Sequence, residues 1–385
     1  MSASIQDALT GTILTPYGWV KGKVVIEGKR IERIAGDPVE PTRTPEAPYI
    51  IPGFIDLHVH GGDGTDFTGD EKDIRRFLRF HAAHGATAMA PTTATAPVAV
   101  LDRALMTIEA IRNDRRSGEP TVLGAHLEGP FINPDKLGAQ MNVPLAGDVD
   151  LALKWADMCR LLVATVAPEI PGGQAVIEAL TRRGCRVQIG HSLATAAQTA
   201  AAFGRGVSGF THLFNAMSGL DHRKPGVAAY ALAHGHYAEI ICDLNHVHPT
   251  VLLAAYRSIP RLYAITDATT FAGRPDGTYE TSQRRVVKKG LRITLEDETT
   301  LAGSAITMLD AFRNLVALGL SLAEASQLTS TRQAEYLGLN ELGRIVPGAL
   351  ANLVVLDGGC NLQSVWVEGE KLSADAAGTQ TPSRN

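Results

Sequence analysis

The chain has little that would tie it to a membrane, a nucleic acid or an oxidising compartment. Cysteine is scarce: Cys159, Cys185, Cys242 and Cys360 stand far apart. They form no Cys-x-x-Cys pair and no disulfide framework. Three lie in or near apolar runs and read as small core residues, reduced in the cytoplasm. No apolar stretch is long enough to span a bilayer. Met1 to Thr15 has neither a basic start nor a sustained apolar centre, so no signal peptide is expected and a cytoplasmic location follows. An excess of one charge is also lacking. Lys and Arg number 36 against 40 Asp and Glu, a net charge of −4. No basic cluster serves a nucleic acid or a membrane surface. The longest basic runs, Arg182-Arg183 and Lys288-Lys289, read as solvated surface.

What is present is an ordinary globular composition, 45% apolar and 20% charged, in 385 residues. That length suits one large domain with a smaller one. Apolar runs recur at Tyr49–His58, Ala86–Pro91, Thr121–Leu127, Leu161–Val166, Arg186–Ile189, Ser208–His212, Ala238–Cys242 and Leu262–Thr266. They do not alternate with polar residues, which suits parallel strands buried on both faces. Helix-like stretches lie between them: Lys72–His84, Val98–Arg115, Gln174–Arg183, Ala194–Phe203 and Pro249–Ser258. Repeated β-then-α units predict an α/β fold, a TIM-type (β/α)8 barrel over residues 51–347.

The two ends read differently. Gly11–Leu14, Lys23–Ile26, Arg30–Ile34, Ala351–Leu356 and Ser364–Val367 are short β-like pieces with similar turns at Glu27-Gly28-Lys29 and Glu368-Gly369-Glu370. Residues 1–50 and 348–385 are therefore expected to pair as one discontinuous β-sandwich domain. The small polar residues Ala374 to Asn385 are expected to be disordered.

Five segments place a metal-type ligand or a carboxylate at the end of an apolar run. They are Asp56-Leu57-His58-Val59-His60, His126-Leu127-Glu128-Gly129-Pro130, Gly190-His191-Ser192, Thr211-His212-Leu213 and Ile265-Thr266-Asp267-Ala268. His58 and His60, two apart on a strand, face the same way and can reach one ion. Taken singly, each histidine reads more readily as a hydrogen-bonded core residue than as a ligand. Together, at the same end of successive parallel strands, these ligands converge on one point. Glu128, His191 and His212 suit zinc, with iron as the other candidate divalent ion. Asp267 reads as the group that takes and returns a proton beside the metal, with a helix N-cap as the structural alternative.

These motifs together resemble the amidohydrolase superfamily, and within it the N-acetylglucosamine-6-phosphate deacetylase family. The resemblance is carried by Pro52-Gly53-Phe54-Ile55-Asp56-Leu57-His58-Val59-His60-Gly61, His126-Leu127-Glu128-Gly129-Pro130-Phe131, Gly190-His191-Ser192 and Thr211-His212-Leu213-Phe214-Asn215-Ala216-Met217. Asp243-Leu244-Asn245-His246-Val247, Thr266-Asp267-Ala268, Leu301-Ala302-Gly303-Ser304 and Gly343-Arg344-Ile345-Val346-Pro347-Gly348-Ala349-Leu350-Ala351-Asn352-Leu353 extend it to about Leu356. It implies hydrolysis of the N-acetyl group of N-acetylglucosamine 6-phosphate, giving glucosamine 6-phosphate and acetate. It implies that Glu128, His191 and His212 hold the principal metal. His58 and His60 would supply a second position that shares Glu128, giving one or two ions per subunit. It makes Asp267 the catalytic acid and base, and places Asn215, Ala216 and His246 at the sugar phosphate. Arg223 is similar to the family's phosphate-binding arginine, reaching across a homodimer interface. Gln140 stands where some members have a histidine near the substrate amide, so only an orienting role is assigned to it. Asp243-Leu244-Asn245-His246 departs from the family's Asp-Gly-x-His. The fourth strand ends in Pro168-Glu169 with no lysine to carboxylate, unlike hydantoinase-like and dihydroorotase-like members. Two further readings stay open: another metal-dependent amidohydrolase, such as a deaminase or an N-acyl amino-acid hydrolase, and a non-catalytic barrel relative.

Overall fold

Parallel strands cannot be joined by a tight turn, so each needs a return segment, and helices supply it here. The computed structural model describes residues 6–40, 42, 44–280, 285–296 and 301–373. The barrel strands are Phe54–Val59, Ala86–Pro91, the pair Thr121–Val122 and Ala125–Glu128, Leu161–Thr165, Arg186–Ile189, Gly209–Phe210, Tyr237–Ile241 and Arg261–Ile265. The strand pairs resolved among them are parallel. The ring closes where the His60 N–H donates to the Ala268 carbonyl at 2.9 Å and the Asp267 N–H donates to the His58 carbonyl at 2.9 Å. The expected (β/α)8 barrel is present.

Helices Glu71–Ala83, Val98–Asn113, Val149–Met158, Gly173–Arg182, Ala196–Phe203, Val227–His234, Pro249–Ser258 and Met308–Ala317 follow the strands in turn. Local chemistry starts several of them. Asp70, Thr195 and Thr307 each accept from the third backbone N–H of the helix, while Asp73, Gln198 and Asp310 reach back. These reciprocal bonds satisfy donors that the first turn leaves unpaired. Val149–Met158, Val227–His234 and Met308–Ala317 were not among the helices read from the sequence.

The two ends form one seven-stranded sheet. Its members run from Glu370–Lys371, Leu362–Val367 and Leu353–Leu356 through Tyr49–Pro52 to Gln6–Thr15, Gly18–Glu27 and Arg30–Pro38. The segment just before Leu353–Leu356 reaches the Arg30–Pro38 edge of the sheet: the Ile31 N–H donates to the Ala349 carbonyl and the Ala351 N–H to the Lys29 carbonyl, both at 2.9 Å. Ile13, Val24, Ile26, Ile31, Ile50, Leu353, Val355 and Trp366 share one core.

Four readings need correction or completion. The run Tyr49–His58 is two strands, because Tyr49–Pro52 joins the terminal sheet and Phe54–Val59 starts the barrel. Gly53 is the joint: a Cβ there would lie 2.3 Å from the Thr87 side chain. The run Thr121–Leu127 breaks at Leu123-Gly124 into two short strands. A three-stranded antiparallel sheet, Gly277–Glu280, Arg285–Lys289 and Arg292–Leu295, is inserted after the last barrel strand. Within it Lys288 is not solvated surface. It is buried, and its ammonium donates to the Gly290 carbonyl at 2.6 Å and to Asp276 at 3.3 Å. The expectation for Ala374 to Asn385 lies outside the described residues.

Candidate metal centre and active site

The C-terminal ends of the barrel strands open into a cavity of about 430 Å³, within the range that holds small-molecule ligands. Its walls include His60, Glu128, Gln140, His191, His212, Asn215, Ala216, His246 and Asp267. His58 lies buried beneath them. Arg223 is exposed and is not among the lining residues. Phe271 and Val286, at the inserted sheet, and Leu301 to Gly303 close one side.

Sharp turns aim three of these side chains inward. His191, His212 and Asp267 follow their strands with φ of 47°, 29° and 50°. Left-handed backbone is costly for non-glycine residues and collects at functional sites. Among the described residues Asp267 caps no helix and the next helix begins at Met308, so the N-cap reading is not realised.

Two clusters of ligand atoms form, each within 4.8 Å: Glu128 with His191 and His212, and His58 with His60 and Asp267. Glu128 Oε1 lies 3.0 Å from His191 Nε2 and 2.8 Å from His212 Nε2. Its other oxygen lies 3.4 Å from His60 Nε2, so the carboxylate faces both clusters. Asp267 Oδ1 is 3.2 Å from His60 Nε2 and 3.5 Å from His58 Nε2.

The far nitrogens fix the tautomers. His191 Nδ1 meets the Lys136 carbonyl at 2.6 Å, His60 Nδ1 the Thr92 carbonyl at 3.2 Å, and His58 Nδ1 the Glu239 carboxylate at 2.9 Å. Each contact requires a proton on Nδ1. The Nε2 lone pairs then point at carboxylate oxygens and at one another, with His58 and His60 Nε2 3.2 Å apart. Such a donor set is stable only around positive charge, and it fits a divalent cation. The proton affinities carry the same signature. Burial disfavours charge on His60, yet bonds to Asp267 and Glu128 raise its pKa to about 9. Burial likewise opposes charge on Asp267, but His60 and His58 hold its pKa down at about 2. Glu128 is held well below the ordinary range by His58 and His191 against its burial.

A third group, His58, His126 and Glu239, also falls within 4.8 Å. It is not a ligand set of the same kind. His126 is engaged at both nitrogens, by the Leu57 carbonyl at 3.0 Å and the Thr165 hydroxyl at 2.8 Å. Burial, then nearby His58, lowers its pKa to about 4.

Gln140 is tied at both ends of its amide. Its Oε1 accepts from the Thr95 N–H at 2.8 Å and from the Thr95 hydroxyl, and its Nε2 donates to Glu128 Oε2 at 2.7 Å. It therefore steadies the shared carboxylate. His246 Nδ1 pairs with Asp243 at 2.7 Å, and that bond raises its pKa despite burial. The sequence reading assigned no role to Glu239, Asp243 or Thr92. For Glu239 the available signal was a lone carboxylate inside the apolar strand Tyr237–Ile241.

Residues 49–372 match the amidohydrolase family. The chain belongs to the amidohydrolase family. Among amidohydrolases of known activity, N-acetylgalactosamine-6-phosphate deacetylase of Escherichia coli O157:H7 is 36% identical over 371 residues, spanning 94% of this chain and 97% of that one. N-acetylglucosamine-6-phosphate deacetylase of Vibrio furnissii is 36% identical over 340 residues, 85% of this chain and 84% of its own. An amidohydrolase structure also superposes: a mutant N-acetyl-D-glucosamine-6-phosphate deacetylase from Mycobacterium smegmatis, in complex with N-acetyl-D-glucosamine-6-phosphate. It is 30% identical with a TM-score of 0.86, covering 96% of this chain and 100% of that one.

Proposed function

We infer that the chain hydrolyses N-acetylglucosamine 6-phosphate to glucosamine 6-phosphate and acetate. One observation carries this most: a carboxylate and four imidazoles, with Asp267 beside them, line or underlie the cavity of a barrel whose relatives deacetylate amino-sugar phosphates. Glu128, His191 and His212 would hold a divalent cation, and His58 and His60 a second. Such a cation polarises an acyl carbonyl and acidifies water. Zinc suits the nitrogen and oxygen donors.

The chain's own groups then move one proton. Asp267, ionised at neutral pH, takes it from the water that attacks the acetamide carbon. The same carboxyl returns it to the nitrogen as the C–N bond breaks, so amine and acetate leave. Gln140 holds Glu128 in place, and Asn215, Ala216 and His246 face the sugar. Among the described residues no lysine or arginine lines the cavity. The resemblance to the deacetylase family assigns the phosphate's cation to Arg223 of a second copy in a homodimer. The barrel unit, residues 51–347, carries the chemistry, and the sheet formed by the described residues of 1–50 and 348–385 braces it.

Acetate release from N-acetylglucosamine 6-phosphate, N-acetylgalactosamine 6-phosphate, unphosphorylated N-acetylglucosamine and an N-acyl amino acid tests this reading. Highest kcat/KM on N-acetylglucosamine 6-phosphate is expected. Preference for the galacto epimer would reassign the sugar, and preference for the acyl amino acid would overturn the function.

A further inference from the structure

Glu239 is a buried carboxylate that the proton transfer above does not use. It sits in the seventh barrel strand, Tyr237–Ile241, with no exposed surface. Its Oε2 accepts from His58 Nδ1 at 2.9 Å and from the His212 backbone N–H at 3.3 Å. Its Oε1 accepts from the Tyr263 hydroxyl at 3.3 Å. That hydroxyl is itself held by Gln188 Nε2 at 2.7 Å, and Gln188 Oε1 accepts from Thr211 at 2.9 Å. Every member of this network is buried.

Charge makes the arrangement unusual. Among the described residues, the ion-pair partner of Glu239 is His58 and no lysine or arginine. Glu128 and Asp267 likewise pair only with histidines. Three carboxylates thus share a buried region in which histidines are their only ion-pair partners among the described residues. Buried carboxylates need positive charge beside them, from imidazolium or from a bound cation, so the region favours cations. Glu239 also joins the two ligand clusters, since one of its oxygens accepts from the His58 ring of one and from the His212 backbone of the other.

We propose that Glu239 is a positioning residue for metal. By taking the Nδ1 proton of His58 as a hydrogen bond, it aims the Nε2 lone pair at the His58–His60 position and supplies the negative charge that retains a divalent ion there. A carboxylate behind a ligating imidazole fixes its tautomer and strengthens it as a donor. The proposal rests on the metal reading above.

The test is Zn²⁺ uptake by the full chain, stripped with a chelator and titrated against a chromophoric competitor. The wild type is expected to take two equivalents. Glu239→Gln keeps the size of the side chain and removes its charge. It should hold one equivalent, the one that His60→Asn also weakens, ~10–100-fold less tightly. The equivalent that His191→Asn weakens should be unchanged. Thermal unfolding separates this from a packing role. Metal-free Glu239→Gln loses its ion pair with His58 and should melt below the metal-free wild type, and its deficit should widen once Zn²⁺ is added, because its gain in Tm on adding the metal shrinks. Wild-type affinities for both equivalents, a loss confined to the His191 equivalent, or an equal drop in Tm with and without metal would each overturn the role. Should Glu239→Gln not fold, Glu239→Asp withdraws the oxygens from His58 by one methylene while keeping the charge. It should show the same selective weakening, and wild-type affinity in it would overturn the role. A wild-type chain that took up no divalent ion would defeat the metal reading as well.

Discussion

Asp267 has its carboxylate 3.2 Å from His60 Nε2 and a pKa pulled down to about 2 against its burial. It therefore stands ionised as a base across the neutral range. Asp267→Asn keeps the shape, and it keeps the ligands Glu128, His191 and His212, but it cannot accept a proton. We expect metal content to persist and kcat to fall by ~10²–10⁴-fold, read from single-turnover acetate release. A rate near wild type would assign the proton to another group. A different residue sets acid stability. His81 is buried, its Nε2 donates to the Gly61 carbonyl at 2.9 Å, and burial lowers its pKa from 6.5 to about 4. The unfolded chain thus takes up this proton first as pH falls. Stability is full above 6.5 and is lost towards pH 4, by about 3 kcal/mol for this group. Urea midpoints at pH 7.5 and 5 should differ less in His81→Gln than in wild type. The same spread between the two proteins would contradict that origin.

The residues of the site differ in how plainly the sequence shows them. His58, His60, Glu128, His191, His212 and Asp267 stand where apolar runs end, and parallel topology brings such ends together. Glu239 lies between Ala238 and Ile240, all three without exposed surface. A strand covered on both faces has no polar alternation to say which way a carboxylate points. Its direction is set by the barrel's curvature, which one strand does not encode.

At the scale of elements, a buried ion-pair clamp fastens the first barrel helix to the loop that follows the second. Arg75, on Glu71–Ala83, reaches Glu119 at 2.6 Å, Glu71 at 2.7 Å and Asp114 at 3.1 Å, while Arg79 also binds Glu119 at 2.8 Å. Arg75 and Glu119 side chains are 3% and 1% exposed. Glu119→Ala leaves a buried guanidinium short of its counter-charge and should cost about 3 kcal/mol in chemical denaturation, with kcat unchanged. A loss below about 1 kcal/mol would mean that Glu71 and Asp114 suffice. The eight barrel strands were legible as apolar runs, but their limits were not. Tyr49 to His58 is one run in hydropathy and two strands in space, because nothing in the period marks a strand leaving one sheet for another. The inserted sheet was hidden for a related reason. Arg285 and Lys289 flank Val286 and Lys288, which face inward, so the strand reads as charged surface.

For the whole molecule, the same ends of the barrel strands gather the candidate ligands, while the Ala351 N–H ties the terminal segments together at the Lys29 carbonyl. Among the described residues no helix is long and apolar enough to cross a membrane. Among the described residues no lysine or arginine lines the cavity, and the role proposed for Arg223 is testable by substitution. We expect Arg223→Ala to raise KM for the phosphorylated sugar by ~10-fold or more, as loss of a charge-assisted bond does, and to leave the unphosphorylated sugar unaffected. Equal loss on both sugars would remove Arg223 from phosphate binding.

The central claim is that this cavity deacetylates an amino-sugar phosphate through a bound divalent cation. Its most direct test is acetate release from N-acetylglucosamine 6-phosphate by chelator-stripped protein, before and after Zn²⁺ is restored. The expected result is no release when stripped and recovery in proportion to metal taken up. Release that ignores the chelator, or none with the metal positions filled, would contradict it.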